Sequence, residues 1–179
     1  MFGSQRYLIK KPVALIGFMA SGKTSVAKLL EEHTGIKAVD TDNEIVQYTR
    51  QTISEIINNQ GEAEFRKVEA KVLGDLVEEK KLFIATGGGI IESAVSRGIL
   101  KQCYCVWLKV DAKTSAGRIE DFSARPMFKD IENAENLLTR RNEIYEQYSD
   151  FSVNTNNKPL SDVVREVRDN LIKVGILQF

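Results

Sequence analysis

The stretch Gly17-Phe18-Met19-Ala20-Ser21-Gly22-Lys23-Thr24 decides the fold of this chain. It follows the apolar run Val13–Ile16 and precedes residues 25–30, whose pattern is typical of a helix. The stretch matches GxxxxGK[ST], the phosphate-binding P-loop, in the strand–loop–helix context that this motif requires. Glycines let successive backbone N–H groups turn inward around an anion, and the following helix adds the positive end of its dipole. The motif predicts a nucleotide site in which Lys23 contacts the outer phosphates and Thr24 ligates Mg²⁺.

The composition is that of a globular protein. With 179 residues, of which 42% are hydrophobic, the chain can bury a sizeable core, and we expect a single domain over residues 1–179. Its 25 basic residues balance 25 acidic ones, so no overall charge favours nucleic acid or an anionic membrane as a partner. No apolar run approaches the length of a membrane span, and residues 1–7 lack the apolar core of a signal peptide. These features favour a cytoplasmic protein.

The two cysteines are expected to be reduced and structural. Cys103 and Cys105 stand two residues apart in an apolar run, which places both on one face of a strand and makes a mutual disulfide unfavourable. A buried thiol pair in a reducing cytosol is the expected state. The chain has one histidine, His33, so a zinc site is not expected.

Apolar strands alternate with helices along the chain. Strands are predicted at residues 13–17, 36–40, 82–86, 103–110 and 151–153. Helices are predicted at residues 22–34, 43–48, 62–81, 93–97, 111–118, 132–147 and 161–173. A further short helix is predicted to begin after a cap at Thr52 or Ser54 and to end at Gly61. Gly98 is expected to end the helix at 93–97, and Ser161 is expected to cap the last helix. Because the strands are apolar throughout rather than alternating, they indicate a five-stranded parallel sheet covered by helices on both faces. The predicted fold is a three-layer α/β sandwich.

Three of the predicted strands end in residues that can carry chemistry, and ligands of such folds bind outside the carboxyl ends of the strands. The first strand ends in the P-loop. The second ends in Asp40-Thr41-Asp42, where one carboxylate could reach Mg²⁺ through water and the other could orient a substrate hydroxyl. The alternative for Asp42 is the N-cap of the next helix. The third strand precedes Gly87-Gly88-Gly89, where either a ligand approaches the backbone closely or the chain simply turns.

Arginines are the remaining candidates. Arg66 can bind a carboxylate through two parallel hydrogen bonds, although pairing with Glu62 or Glu69 at helical spacing is favoured when these residues are considered alone. The polar segment Arg118–Phe128 lies between two predicted helices and could close over the nucleotide as a lid. The alternative is a cluster of solvated surface charges. Arg140-Arg141 adds further positive charge in the following helix.

Together these motifs resemble the shikimate kinase family, which belongs to the P-loop kinases similar to nucleoside monophosphate kinases. The matching segments occur in the family's order over about residues 12–172. They are Gly17–Thr24, Asp40-Thr41-Asp42, Gly61-Glu62-x-x-Phe65-Arg66-x-x-Glu69, Gly87-Gly88-Gly89, Arg125-Pro126 and Arg141-x-x-x-Tyr145. The resemblance implies a P-loop kinase fold with a lid at about residues 118–129 and a substrate-binding helical segment at about residues 42–70. It implies transfer of a phosphoryl group from ATP, with Mg²⁺, to the 3-hydroxyl of shikimate in aromatic amino acid biosynthesis, and we expect a monomer.

The resemblance also implies a role for each matching residue. Those implied for ATP are Ala20, Ser21, Gly22, Lys23, Thr24, Ser25, Arg118, Arg125 and Lys158. Those implied for shikimate are Asp42, Arg66, Gly87, Gly88, Gly89 and Arg141, with the two arginines on its carboxylate. Thr24 and Asp40 would hold Mg²⁺. Lys23, Asp42 and Arg125 would be the catalytic residues, with Arg125 on the lid at the phosphoryl group. Arg118 would stack on the adenine.

The chain departs from the family pattern in two places, and other functions remain open. Ala20 stands where the family commonly has glycine, which is tolerated if the local φ is negative. Met127-Phe128 replaces the usual Leu-Leu after the lid Arg-Pro. The alternatives are a kinase for gluconate or a nucleoside monophosphate, a nucleotide-dependent regulatory protein, and a degenerate kinase with a binding role. The arginine pair with Asp42 favours a small carboxylated polyol as the acceptor.

Overall fold

The structure is a computed structural model, and it describes residues 7–119 and 131–179. The strands are β1 (Leu8–Ile9), β2 (Val13–Ile16), β3 (Ala38–Asp40), β4 (Phe83–Ala85), β5 (Tyr104–Lys109), β6 (Phe151–Asn154) and β7 (Leu177–Gln178). The helices are α1 (Lys23–Thr34), α2 (Thr41–Thr49), α3 (Ile53–Gln60), α4 (Glu62–Glu78), α5 (Ala94–Leu100), α6 (Ala112–Gly117), α7 (Ile131–Tyr148) and α8 (Leu160–Lys173), with a 3₁₀ turn at Ile90–Glu92.

Five of these strands form one parallel sheet in the order β3-β4-β2-β5-β6, which confirms the predicted sheet. The central strand β2 pairs with β4 on one side and with β5 on the other, so that Val13 lies opposite both Phe83 and Tyr104. The chain runs from β2 to β3 and β4 on one side of β2, and the connection from β4 then crosses to β5 and β6 on the other side. The crevice beyond the carboxyl end of β2 is where ligands bind in folds of this type. The P-loop lies in that crevice.

The sheet is buried on both faces, as the apolar strands predict. Along β2, Val13 and Leu15 face a core built with α1 and α8, whereas Ala14 and Ile16 face a second core built with α4 and α7. All four side chains are fully buried. The alternation of side chains along a strand therefore places an apolar residue on each face in turn, which gives the three-layer sandwich.

Several local predictions need correction. Helix α5 continues through Gly98 to Leu100, because a single glycine weakens a helix only mildly and does not by itself end it. Helix α8 begins at Leu160 after Pro159, whose φ of −57° already suits a helix, and Ser161 is not its cap. The antiparallel pair of β1 and β7 was not predicted, since two-residue strands far apart in the chain leave no local pattern. Thr52, one of two proposed caps, does cap α3.

The thiol prediction is confirmed in part. Cys103 and Cys105 are free and buried, and Cys105 lies in β5 while Cys103 lies just before it. Both side chains belong to the core, and burial raises the pKa of the Cys103 thiol to about 12. No helix within residues 7–119 and 131–179 is long and apolar enough to cross a membrane. The lid residues Arg125, Pro126, Met127 and Phe128 lie outside the described residues.

Candidate active site

The P-loop connects β2 to α1 and packs tightly against the end of β5. At Gly17, where φ is +144°, a Cβ would lie 2.5 Å from the Leu108 carbonyl oxygen, so that position requires glycine. Helix α1 begins immediately after Gly22, whose φ is +97° and whose carbonyl accepts the Val26 N–H at 2.9 Å. The loop therefore presents the N–H groups of the first turn of α1 at the mouth of the sheet, and N–H groups at a helix start can bind phosphate.

Ala20 lies in a left-handed conformation, with φ of +55°. The condition under which alanine would replace glycine without cost, a negative φ, is therefore not met. A Cβ in this region clashes with the backbone, and non-glycine residues adopt it at a cost of about 1 kcal/mol. The P-loop thus carries a small local strain at the one position where this chain departs from the usual glycine.

Lys23 is folded back across the P-loop. Its Nζ donates to the carbonyl oxygens of Gly17 at 2.8 Å and Phe18 at 2.7 Å, and the residue is only 8% exposed. The ammonium group is therefore already positioned by the loop whose phosphate site it shares. A phosphate bound in the loop would lie within the reach of a side chain that needs little reorganisation.

Thr24 and Asp40 form the candidate Mg²⁺ site. Thr24 Oγ1 donates to Asp40 Oδ2 at 2.6 Å, which joins the first turn of α1 to the end of β3. Both are oxygen ligands of the type that Mg²⁺ prefers, and Mg²⁺ commonly binds one carboxylate together with waters and substrate phosphates. The residues present therefore fit this ion.

Asp40, rather than Asp42, caps α2. Asp40 Oδ1 accepts the backbone N–H of Asp42 at 3.0 Å and that of Asn43 at 3.3 Å. The proposal that Asp42 is the cap is therefore wrong. Asp42 lies in the first turn of α2, and its carboxylate is directed toward the glycine segment Gly87–Gly89 instead.

The glycine segment is held close to three other parts of the chain. A Cβ on Gly87 would lie 2.8 Å from Asp42 Oδ1 and 3.1 Å from Glu69 Oε1, and a Cβ on Gly88 would lie 3.2 Å from the backbone nitrogen of Met19. The Gly87 N–H donates to Thr41 Oγ1 at 3.0 Å. Side chains would be excluded by these contacts, so the packing of the chain itself explains the glycines, and close approach of a ligand to this segment stays a prediction.

Arg66 reaches the same segment from α4. Its guanidinium donates to Glu69 at 2.8 Å and to Glu62 at 3.1 Å, which confirms the pairing expected at helical spacing. The same guanidinium lies against Gly89, where a Cβ would be 2.5 Å from its NH2 nitrogen. The ion pairs therefore hold Arg66 at the glycine segment, and the two interpretations of Arg66 are compatible.

Glu69 is the buried member of this group, with 1% of its side chain exposed. Burial raises the pKa of the Glu69 carboxyl, and the nearby negative charge of Asp42 acts in the same direction. The Arg66 guanidinium lowers that pKa without cancelling the rise. Asp42, Glu69 and Arg66 therefore form one electrostatically coupled cluster beside Gly87.

Arg141 approaches the glycine segment from α7. Its Nε donates to Glu92 Oε1 at 2.8 Å, and its NH1 lies 3.4 Å from the Gly88 carbonyl oxygen. Tyr145, one turn later and fully buried, donates its hydroxyl to the same Gly88 carbonyl. Arg66 and Arg141 thus flank Gly88 and Gly89 from two different helices.

A cavity of about 290 Å³ lies between the P-loop, Arg118 and the start of α8. Among the residues around it are Ser21, Gly22, Ser25, Arg118, Thr155 and Lys158. Arg118 NH2 donates to the Thr155 carbonyl at 2.6 Å, and its NH1 donates to the Ala20 carbonyl at 3.2 Å. Lys158 pairs with Glu166 at 2.6 Å. The structure therefore brings the residues predicted for the adenine side together.

Some residues of the site carried no functional prediction. Thr41 supports Gly87, Glu92 binds Arg141, and Thr155 binds Arg118, each through its side chain or backbone. Ser115 on α6 donates its hydroxyl to the Met19 carbonyl at 2.7 Å. These contacts join residues far apart in the chain. The sequence carries two weak signals for these residues: Thr41 stands between two aspartates, and Glu92 comes shortly after the three glycines.

Comparison with known proteins identifies close relatives. A family model for shikimate kinase matches residues 19–172. A shikimate kinase of Dehalococcoides mccartyi is 36% identical over 171 residues, which cover 92% of this chain and 95% of that protein. A solved shikimate kinase from Acinetobacter baumannii in complex with shikimate is 30% identical with a TM-score of 0.85, covering 91% and 93%. One from Aquifex aeolicus is 32% identical with a TM-score of 0.81, covering 92% and 98%.

Proposed function

Because this chain belongs to the shikimate kinase family, we propose that it transfers the γ-phosphoryl group of ATP to the 3-hydroxyl of shikimate. One observation carries the proposal. A single cavity of about 240 Å³ is lined by Lys23 and Thr24 from the P-loop and by Asp42, Gly87 and Gly88 from the opposite side. A donor phosphate and an acceptor hydroxyl bound there would be adjacent, as direct phosphoryl transfer requires.

On the donor side, the N–H groups of the P-loop and the Lys23 ammonium would bind the β- and γ-phosphates. Thr24 and Asp40 would hold Mg²⁺, which when bound neutralises phosphate charge. Arg118 and Lys158 would border the adenosine, together with Ser21 of the loop and Ser25 in the first turn of α1. These side chains position the nucleotide and lower the electrostatic cost of transfer.

On the acceptor side, Asp42 would accept a hydrogen bond from the 3-hydroxyl and aim its oxygen at the γ-phosphorus. Arg66 and Arg141 would bind the shikimate carboxylate, since a planar guanidinium matches a carboxylate through parallel hydrogen bonds. The backbone of the glycine segment would contact the ring, with Arg125 of the lid at the phosphoryl group. A closed lid would exclude water and so limit hydrolysis of ATP.

The test is release of ADP that depends on shikimate, measured with the purified protein against a panel of shikimate, gluconate and nucleoside monophosphates. We expect turnover with shikimate alone. Turnover with gluconate or a nucleotide instead would replace this function by another kinase activity. Slow hydrolysis of nucleotide with no acceptor would indicate a regulatory protein. We also expect the protein to be a monomer and to act in the cytoplasm. Light scattering of the purified protein tests whether it is a monomer.

Three variants assign the roles. Lys23→Ala should nearly abolish turnover while the protein remains folded. Arg66→Ala and Arg141→Ala should mainly raise the KM for shikimate, with Arg165→Ala as the matched control because Arg165 pairs with Asp162 on the exposed surface of α8. If Arg66→Ala and Arg141→Ala altered only the KM for ATP, the assignment of these two arginines to the shikimate carboxylate would be wrong.

A further inference from the structure

Glu92 ends the 3₁₀ turn that follows the glycine segment, and its carboxylate lies beneath Arg141. One oxygen, Oε1, accepts hydrogen bonds from Arg141 Nε at 2.8 Å and from Arg140 NH2 at 3.1 Å. The side chain is 26% exposed, whereas that of Arg141 is 9% exposed. The ion pair is therefore partly shielded from water, which makes it stronger than a pair on the open surface.

The contact uses only one of the nitrogens of Arg141. Guanidinium carries N–H groups on Nε and on both terminal nitrogens, and Glu92 contacts Nε. The terminal nitrogen NH1 donates one of its two N–H groups to the Gly88 carbonyl oxygen, at 3.4 Å. The edge formed by the two terminal nitrogens is thus not used by Glu92. A planar substrate carboxylate can bind along that edge through two parallel hydrogen bonds.

The same pair fixes α7 against the glycine segment. Glu92 follows Gly89 by three residues in the sequence, whereas Arg141 lies on α7. The contact between Glu92 and Arg141 therefore joins two distant parts of the chain. Tyr145 makes a second connection by donating to the Gly88 carbonyl. Holding a long side chain in one conformation before the substrate arrives removes an entropic cost from binding. Arg66 is also held by a glutamate, but Glu69 binds its terminal nitrogen NH1 rather than Nε.

We propose that Glu92 is a positioning residue for the acceptor: it holds Arg141 by Nε so that the terminal nitrogens face the substrate carboxylate. This inference rests on the proposed function. Glu92 acts through Arg141 and does not touch the substrate. If Glu92 instead competed with the substrate carboxylate for Arg141, its removal would lower the KM for shikimate. The direction of the change in this KM therefore distinguishes positioning from competition.

The experiment compares steady-state kinetics of Glu92→Ala, Glu92→Gln and the wild type. We expect Glu92→Ala to raise the KM for shikimate about tenfold, with kcat and the KM for ATP changed less than about twofold. Glu92→Gln keeps an acceptor oxygen without the charge, and we expect a rise of about threefold. The matched control is Glu143→Ala, which removes an exposed glutamate from α7, the helix that carries Arg141. Its kinetic constants should equal those of the wild type.

A double variant shows whether Glu92 acts through Arg141. In an Arg141→Ala background, Glu92→Ala should cause no further rise in the KM for shikimate, because the guanidinium that it positions is gone. An additive effect would overturn the inference, as would a KM that falls or stays unchanged in Glu92→Ala. If Glu92→Ala does not fold, the nearly isosteric Glu92→Gln and its double variant with Arg141→Lys decide by the same criteria.

The result is separable from the test of function. Absence of turnover of shikimate by the wild type would refute the proposed function itself. Normal turnover by the wild type with no change in the KM of the Glu92 variants would refute the positioning role alone. A carboxamide analogue of shikimate gives a further readout, since Glu92→Gln should lose affinity for shikimate but not for the analogue.

Discussion

Thr24 donates its hydroxyl hydrogen to one oxygen of Asp40, at 2.6 Å, while the other oxygen of the same carboxylate caps helix α2. One side chain therefore links the P-loop helix to the helix that carries Asp42. The candidate metal ligand and the candidate acceptor-orienting residue are held in register by this contact. Changes at Asp40 should consequently affect both ion binding and the stability of α2.

The two roles of Asp40 can be separated by substitution. Asp40→Asn keeps an oxygen that can cap α2 but removes the charge, so we expect the concentration of Mg²⁺ needed for half-maximal activity to rise severalfold with little loss of stability. Asp40→Ala should add a loss of about 1 kcal/mol in the free energy of unfolding. Urea unfolding and titration of activity with Mg²⁺ are the measurements.

Thr52→Ala provides the control, because Thr52 caps α3 through the Glu55 N–H. Thr52 lies within the implied substrate-binding segment, but it is not one of the residues assigned to ATP, shikimate or Mg²⁺. It should lose a similar amount of stability without changing the requirement for Mg²⁺. If Asp40→Asn had an unaltered requirement for Mg²⁺, Asp40 would be a helix cap alone.

The double role of Asp40 marks where sequence reasoning stopped. The sheet, its order of layers and the P-loop follow from apolar runs and a motif with a mechanism, and all are confirmed. Two aspartates separated by one residue do not reveal which of them caps the helix, because either satisfies the same preference for a short acceptor side chain. The capping carboxylate, that of Asp40, also accepts a hydrogen bond from Thr24, sixteen residues away in the chain, and this long-range contact has no local pattern.

The acceptor site shows the same limit. Arg66 could be predicted to pair with its neighbours on α4, since that spacing is local. Its contact with Gly89, and the pairing of Glu92 with Arg141, depend on how α4 and α7 pack over the sheet. Residues joined only by tertiary packing have no spacing rule. The resemblance to a family placed Arg141 in the site, whereas Glu92 required the structure.

Ala20 provides a prediction about stability. Because its φ is +55°, Ala20→Gly should relieve the strain of the left-handed conformation and leave the protein as stable as the wild type or up to about 1 kcal/mol more stable. The gain is limited since glycine also gives the unfolded chain more freedom. Thermal and urea unfolding measure it.

Ala27→Gly is the matched control for this substitution. Ala27 lies in the interior of α1 and is 2% exposed, so glycine there should cost about 1 kcal/mol or more. Equal losses of stability in the two variants would show that Ala20 is not strained.

Arg118 provides a prediction about nucleotide binding. It joins the P-loop carbonyl of Ala20 to Thr155, which follows β6, through three hydrogen bonds of 2.6 to 3.2 Å. Arg118→Ala should raise the KM for ATP severalfold while the KM for shikimate changes less than about twofold. Arg118→Lys should resemble Arg118→Ala, because a single ammonium cannot span the same acceptors. A normal KM for ATP in both variants would contradict the assignment.

The two glutamates that hold the clamp arginines should respond to pH in opposite directions. Burial raises the pKa of Glu69 above its ordinary 4.5, so between that value and the folded pKa the folded state keeps a proton that the unfolded state has lost. The contribution of Glu69 to stability therefore falls as the pH rises above about 4.5. Glu69→Gln cannot ionise, and its stability relative to the wild type should improve over that range.

Glu92 should give the reverse result. Partial burial would raise its pKa, but Arg141 and Arg140 outweigh it and hold the pKa of Glu92 below 4.5. Its contribution to stability is then present above pH 4.5 and is lost as the pH falls through the folded pKa. Relative to the wild type, Glu92→Gln should be less stable near neutral pH and approach it in acid. Urea unfolding of Glu69→Gln and Glu92→Gln across pH 3.5–8 tests both predictions. If the free energy of unfolding of both variants varied with pH as in the wild type, the electrostatic roles assigned to Glu69 and Glu92 would be refuted.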